Sequence, residues 1–466
     1  MLFKIKKEME SFSRWFRIIV FILGLVYLSL WIFSINLSYI QKDNGFEPLL
    51  PGAPEDSVGY ILISESLING NGLSQNGKIE TLRGFAYPLF AAIIKTIGGS
   101  YFAVTLAQII LVFISAFIIR RIGIVFSGKN VGEIAATIFL VNPVTMTLSL
   151  LILTDVFFLF LFTLGFYLIT TINDKNMFRK MCLVISLFIL VIYVRGMGIF
   201  ALPIFMAPIL VTKLSFKLQT KLMAIVLVSL LLSTIPAIVR NYIRTGVANF
   251  NGFESVNLSW IVPKFIASVD NISEKLATES FQEATGVPKE AWDDLSAYDL
   301  QYASQISKVG EKIILEHPFS YIKFHLVSSV PFLFPSSILF MKDAYDKALK
   351  QPRSIKSSAI NALASGDWKT FYISIKEVWW KFAERVCWLL ALLLGVFAVW
   401  KGRRNVLVWV FVFISGYFMI LSGPAAGPRL SFQAWPYMFI LFASGGIQMF
   451  QKFIVWKEKF VKKKQL

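Results

Sequence analysis

The chain has 466 residues, of which 56% are hydrophobic, 15% aromatic and only 16% charged, with a net charge of +18. A soluble domain carries about a quarter charged residues, so this composition, with a mean hydropathy of +0.65, excludes that class and points to helices that cross a membrane repeatedly.

Apolar runs of roughly 17–25 residues, long enough to span the hydrocarbon, recur along the chain. The first, 15–35, follows a basic start containing Lys4, Lys6 and Lys7. It is too long for a signal h-region and lacks a small-residue cleavage site, so it reads as a retained first helix. A polar stretch rich in Gly, Asn, Pro and Ser follows at 38–99, with Asn69-Gly70-Asn71-Gly72 as a turn cluster. Further spans are expected at 101–119, 131–150, 156–171, 181–194, 196–211, 222–239, 386–400, 406–421 and 430–450, which makes about ten. Before the last three, a helix is expected over 288–316. Pro288 suits a first turn, and Trp292, Leu295, Tyr302, Ile306, Val309 and Ile313 recur at helical spacing, a face suited to packing on the outer surface of the membrane domain. The run 319–341 is apolar enough to span but contains Pro331 and Pro335, and reads as interfacial or re-entrant.

Lys and Arg collect in cytoplasmic loops during insertion, and they set the orientation. Connectors with Arg120 and Arg121, Arg179 and Lys180, Lys213 and Lys217, and Arg403 and Arg404 share one side with the tail residues Lys462, Lys463 and Lys464 if the N-terminus is inside. The stretch 241–320 carries eleven Asp or Glu against six Lys or Arg, a balance of −5 in a chain of +18, and is expected outside. Both termini are therefore expected in the cytoplasm. The organisation is a transmembrane core at 1–240 with its first external loop at 39–99, an external helical region at 241–384, and C-terminal helices with a basic tail at 385–466. Half of the positive total is topology signal and the remainder favours anionic lipid head groups, with no nucleic acid implied.

Cys182 and Cys387 fall near opposite membrane faces on this topology, too far apart for a disulfide. His317 and His325 would lie about 12 Å apart along one helix, too far to share a metal, and His317-Pro318 marks a helix end.

The charged residues at outer span ends carry the chemistry. Asp56 stands in Pro54-Glu55-Asp56-Ser57-Val58-Gly59-Tyr60, and Asp155 follows Thr154 at the start of an apolar run. Each has an ordinary reading as a helix N-cap, and Asp56 shares a helical face with Tyr60. Their position sets them apart, because Arg83, Arg195, Arg240 and Arg429 also fall at outer span ends. Ionisable groups at membrane depth are costly unless paired or turned to a polar cavity, so several on one side imply a shared external site. Aspartates would suit Mg²⁺ or Mn²⁺, near Asp155, although two are few for a divalent cation.

Taken in order, Asp56…Tyr60, Gly70-Asn71-Gly72, Arg83-Gly84-Phe85-Ala86-Tyr87-Pro88-Leu89-Phe90, Asn142-Pro143, Thr154-Asp155 and Arg240-Asn241-Tyr242 resemble the multispanning GT-C glycosyltransferases. The nearest likeness is to bacterial relatives of the protein O-mannosyltransferases and the lipid A aminoarabinose transferases. Arg429-Leu430-Ser431-Phe432, ahead of Trp435-Pro436, is similar to their last motif. The chain departs from the pattern at Gly84-Phe85, where two adjacent prolines are usual, and in the last motif, which lacks a second basic residue and its following proline.

The resemblance implies an all-α polytopic membrane protein, a GT-C-like bundle of about ten transmembrane helices with external loop helices, in a bacterial plasma membrane. It implies transfer of a hexose or pentose, with inversion, from a polyprenyl-phosphate-linked donor to a lipid, glycan or protein acceptor on the non-cytoplasmic face. On that reading Asp56 is the catalytic residue that activates the acceptor, and Arg83, Arg240 and Arg429 bind the donor phosphate. Tyr60, Tyr87 and Arg195 contact substrate, and Asp155 is a further acidic site or metal partner. A carboxylate and an arginine supply what such a transfer needs, a base for the acceptor and charge stabilisation for the departing phosphate. The rival readings are a lipid-linked saccharide flippase and a polysaccharide polymerase or ligase. Against the first stands the lack of internal repeats, and against the second the acidic motif in the first loop instead of a large late one.

Overall fold

The computed structural model describes residues 12–40, 55–172, 176–195, 202–212, 214–293, 299–348, 368–425 and 427–465. The protein is an all-α polytopic membrane protein. Among the described residues the only sheet is a two-stranded hairpin.

The membrane core opens with α1 (Arg14–Ile40), and the first loop contributes α2 (Glu55–Ile68), β1 (Ser74–Gln75), β2 (Lys78–Ile79) and α3 (Ala86–Gly98). The hairpin turns at Asn76-Gly77, both at positive φ, the pairing that a two-residue turn between twisted strands demands. Next come α4 (Tyr101–Ser127), α5 (Lys129–Val141), α6 (Pro143–Leu150), α7 (Thr154–Thr170) and α8 (Met177–Val194). Helix α4 packs on α5 and α7, and α7 on α8, around a core that includes Phe139, Phe162, Phe166 and Phe188.

The chain continues through the short α9 (Leu202–Met206) and a 3₁₀ turn, Ala207–Val211, into α10 (Phe216–Thr245). Three helices, α11 (Phe253–Asp270), α12 (Glu274–Thr285) and α13 (Lys289–Asp293), then precede α14 (Leu300–Glu316). A bent helical segment follows, with α15 (Pro318–Ser328) and α16 (Val330–Leu333) as one arm and α17 (Ser337–Ala348) as the other. The bundle is completed by α18 (Trp368–Gly402), α19 (Val406–Ser422), the short α20 (Pro428–Ser431) and α21 (Trp435–Gln465), which packs against both α18 and α5.

Seven described helices, α1, α4, α8, α10, α18, α19 and α21, are long and apolar enough to cross a membrane, or nine if each of two bent pairs counts as a span. The other three of the ten expected spans do not reach that length as single straight helices among the described residues, for local reasons. The segment 131–150 is broken by 58° between α5 and α6, because Asn142 is extended ahead of Pro143 and its Oδ1 accepts from Val144 N at 2.9 Å, capping a new helix. The segment 156–171 is the 17-residue α7. Of the segment 196–211, the described part is α9 followed by the 3₁₀ turn. Residues 196–201 lie outside the described residues, and beyond them Pro208, which has no N–H to donate, ends α9 after one turn. The run 319–341 falls in the bent segment, whose arms meet at an 80° bend.

Two further expectations change. Arg120 lies inside α4 and not in a connector: it is buried, pairs with Glu133 of α5 at 3.2 Å, and lies 4.3 Å from the Phe12 ring centre. A charge at that depth is tolerable only with such partners. The helix expected over 288–316 is two, since Asp299 is extended at the start of α14; Leu295 is outside the described residues. Its apolar face serves a small core of its own, with Trp292 and Ile306 beside Val262 of α11 and Phe281 of α12.

Candidate active site

Five separate pieces of chain deliver charged side chains to one end of the bundle. Asp56 lies in the first turn of α2 and Asp155 in the first turn of α7, where the helix dipole favours a carboxylate. Neither is an N-cap. Asp155 spends its oxygens on side chains, and the residue at the cap of α7 is Leu153. Arg195 ends α8, which runs antiparallel beside α7 and so returns its end to Asp155. Arg83 stands on the loop between β2 and α3, and Arg429 on α20.

Arg429 is the centre of the network. Its Nη1 donates to Asp56 Oδ2 at 2.7 Å and its Nε to Asp155 Oδ2 at 2.9 Å. Asp155 Oδ1 accepts from Arg195 Nη1 at 2.9 Å and from Gln433 Nε2 at 3.2 Å. Asp56 Oδ1 faces Arg83 Nη2 at 3.6 Å. The carboxylates differ in access, the side chain of Asp56 being 45% exposed and that of Asp155 0%.

The Arg83 loop is held from within. Glu80 Oε1 accepts from Leu82 N at 2.7 Å and from Arg83 N at 2.8 Å, while Oε2 lies 3.4 Å from Arg83 Nη1. Gly59 leaves room for the guanidinium, since a Cβ there would come 2.7 Å from Arg83 Cζ. The departure at Gly84-Phe85 has a steric cause: a Cβ on Gly84 would meet Tyr193 O at 1.9 Å, and the Phe85 ring lies 4.7 Å from that of Tyr193.

These groups line a cavity of about 360 Å³, with Asp56, Tyr60, Arg83, Arg195 and Arg429 on its polar side and Phe253, Phe340, Leu82 and Leu430 among its apolar walls. Three expected members do not line it, and Asp155, fully buried and bound to Arg429, is the first. Arg240 lies behind the Arg83 loop, donating from Nη2 to Glu80 O at 3.1 Å and lining a small neighbouring crevice. Tyr87 is fully buried beneath Tyr60, with ring centres 5.2 Å apart, and donates to Gln108 Oε1 at 2.8 Å.

Electrostatics follow from this packing. Burial pushes the Asp56 carboxyl up, but Arg429, Arg83 and Arg195 outweigh it and hold it below the ordinary aspartate range. Burial pushes Arg429 down, but Asp155 and Asp56 more than reverse this and fix its charge. Tyr60 is raised by burial first and Asp56 second, so it stays a neutral phenol.

A divalent cation does not fit this donor set. Both oxygens of each aspartate already face guanidinium or amide donors, and among the described residues no group of three or more His, Cys, Asp or Glu stands close enough to hold a metal.

The bent segment α15–α17 braces the Arg429 segment. Helix α15 packs on the turn Gly423–Ala425 and α16 on α20. His325 Nε2 lies 2.8 Å from Ile420 O, and because a carbonyl only accepts, Nε2 carries the proton. On the other arm α17 presents Phe340 to the cavity, and its first backbone amides, of Ser337 and Ile338, donate to Glu384 Oε1 at 2.5 and 3.2 Å. Sequence reasoning passes over Gln433, Glu80, Phe253 and Phe340. The first two carry a signal, a polar residue four after Arg429 and an acid three before Arg83, whereas the two phenylalanines are indistinguishable from the other 42 of the chain's 44.

A scan of protein-family models and a search of curated proteins give no match. Among solved structures the chain is similar to the oligosaccharyltransferase AglB from Archaeoglobus fulgidus, in complex with an inhibitory peptide and a dolichol-phosphate. The identity is 11% over 96% of this chain and 51% of that one, with a TM-score of 0.47. It is also similar to ArnT from Cupriavidus metallidurans in the apo state, at 14% identity over 90% of this chain and 77% of that one, TM-score 0.39. Against ArnT bound to undecaprenyl phosphate the identity and coverage are the same and the TM-score is 0.40. The chain spans about half the length of the oligosaccharyltransferase, 51%. The assignment of chemistry therefore rests on the cavity.

Proposed function

We propose that the protein is a membrane glycosyltransferase of the GT-C type, transferring a sugar from a polyprenyl-phosphate donor to an acceptor at the non-cytoplasmic face, with both termini in the cytoplasm. The observation that carries this reading is the cavity in which an accessible carboxylate, Asp56, adjoins Arg83 and Arg429. Asp56 takes the proton of the acceptor hydroxyl as its oxygen attacks the anomeric carbon and the bond to the phosphate breaks. The charge left on the polyprenyl phosphate is received by Arg83 and Arg429, whose planar forks suit phosphate oxygens. Arg195 and Asp155 hold Arg429 in place, Arg240 supports the Arg83 loop, Tyr87 supports Tyr60, and Tyr60 closes one side of the sugar pocket.

Two apolar grooves support a lipid-linked donor. One, of about 460 Å³, lies among α5, α18 and α21, and the other, of about 330 Å³, among α18, α19 and α21. The sequence carries no Gly-rich phosphate loop for a nucleotide. The test is transfer of labelled sugar from a polyprenyl-phosphate sugar by protein reconstituted in liposomes. Efficient transfer from a UDP- or GDP-sugar without a lipid intermediate would sink the assignment.

A further inference from the structure

The membrane face opposite the cavity carries charge of another kind. Only Arg403, Arg404 and Asn405 separate α18 from α19, and their turn is tightly built. Asn405 N donates to Gly402 O at 2.7 Å, Asn405 Oδ1 accepts from Leu407 N at 3.0 Å, and Trp409 Nε1 donates to Arg403 O at 2.8 Å. Arg403 folds back, its Nη1 donating to Trp400 O at 2.9 Å and its guanidinium 5.7 Å from the centre of the Trp400 ring. Lys401 lies 5.0 Å from that centre, and Lys452, arriving from α21, lies 6.0 Å from it.

Three cations thus ring one indole that is itself 55% exposed. Among the described residues none of the three has a carboxylate within ion-pair distance, in contrast to every arginine of the cavity. Like charges gathered on one ring repel, and contact with the indole face offsets only part of that cost. An anion among them would relieve it. The turn hydrogen bonds hold Arg403 in advance, so little ordering remains for a ligand to impose.

Depth identifies the anion. Lys452 lies seventeen residues beyond Trp435 on α21, about 26 Å along the helix, close to the thickness of the hydrocarbon, so the cluster sits at head-group level. Directly along α18 from Trp400, at helical spacing, Val396 and Leu393 are 66% and 57% exposed and offer an apolar stripe for acyl chains. Beyond Lys452, α21 continues with Lys457 and Lys459 among the stacked, exposed rings of Phe453, Trp456 and Phe460. A basic helix with an aromatic face belongs at the membrane interface.

We infer that Lys401, Arg403 and Lys452 around Trp400 form a docking site for the phosphodiester head group of an anionic phospholipid. The site is independent of the proposed transfer reaction.

The experiment is native mass spectrometry of the full chain released from nanodiscs of mixed phosphatidylcholine and phosphatidylglycerol. The parent should retain phosphatidylglycerol selectively, and each cation converted in the series Lys401→Gln, Arg403→Gln, Lys452→Gln should weaken retention about fivefold. Lys401→Arg with Lys452→Arg should preserve it. Converting Arg179, Lys217 and Lys221 to Gln removes as many exposed cations at the starts of α8 and α10 and should also preserve it. Equal loss in that control would reduce the effect to diffuse surface charge and overturn the site, as would unchanged retention in the triple variant. Displacement of the lipid by inorganic phosphate would make it a site for free anions and overturn the lipid assignment. A measurement without substitution stands beside these: reductive methylation of Lys401 and Lys452 should be slower in phosphatidylglycerol than in phosphatidylcholine nanodiscs, and equal rates contradict the inference.

Discussion

Two aspartates hold Arg429, and they differ in what covers them. Asp56 and Asp155 occupy the same place in their helices, the first turn, and each accepts from the same guanidinium. Asp155 is sealed in the bundle with both oxygens bound by Arg195, Gln433 and Arg429, whereas Asp56 keeps nearly half of its side chain open to the cavity. The same chemical group is thereby suited to two tasks. A carboxylate without access can fix the direction of two arginines, and only one with access can meet a substrate proton.

Removing each in turn tests that division. The largest effect is expected from Asp155→Ala, which leaves the Arg195 and Arg429 guanidiniums without their buried partner and should cost about 3–5 kcal/mol of stability. Thermal unfolding in nanodiscs measures it, and an unchanged midpoint would mean the buried network is not structural. Asp56→Asn should lower that midpoint by less than Asp155→Ala does, while lowering single-turnover transfer at least about a hundredfold. If Asp56→Asn turns over normally, the open carboxylate is not the base.

The next test concerns Arg83, the second guanidinium on Asp56. Arg83→Ala should weaken donor binding by about tenfold or more, and Arg83→Lys by less, since charge survives and only the fork is lost. Equal affinities in a polyprenyl-phosphate binding titration would move the donor site elsewhere.

The pH profile sharpens the same point. Because the arginines hold the Asp56 carboxyl below its ordinary value despite burial, its ionised form contributes stability above the unfolded pKa, and this is lost as pH falls through the folded one. As a base it must be ionised, so the acid limb of kcat/KM should lie below the ordinary aspartate range of about 3.9. Arg83→Gln should move that limb upward. A limb that stays put separates it from Asp56.

The smallest effect is expected at His325. His325→Ala removes a hydrogen bond to Ile420 O, about 0.5–1.5 kcal/mol, and loosens the turn ahead of Arg429. His325→Gln keeps a donor within reach. A rise in donor KM with Ala but not with Gln, at similar kcat, is the expected pattern, and equal behaviour of the two variants would make the contact incidental.

The membrane class and the seven long helices were legible in the sequence because hydropathy over a helix length is a local property. Asp56, Arg83, Asp155, Arg195 and Arg429 could each be nominated because a charge at the end of an apolar run is conspicuous where it stands. Local chemistry also contained the break at Asn142-Pro143, although a hydropathy window averages across it. The partners were decided only by the fold. Arg429 meets Asp56 across 373 positions and Asp155 across 274, and no local pattern encodes such a pairing. The same holds for Arg240 and Tyr87, which read as equals of the cavity residues until packing set one behind a loop and the other beneath a ring. Access and burial are properties of surfaces brought together from distant segments, so the roles of two like aspartates were separated by tertiary structure alone.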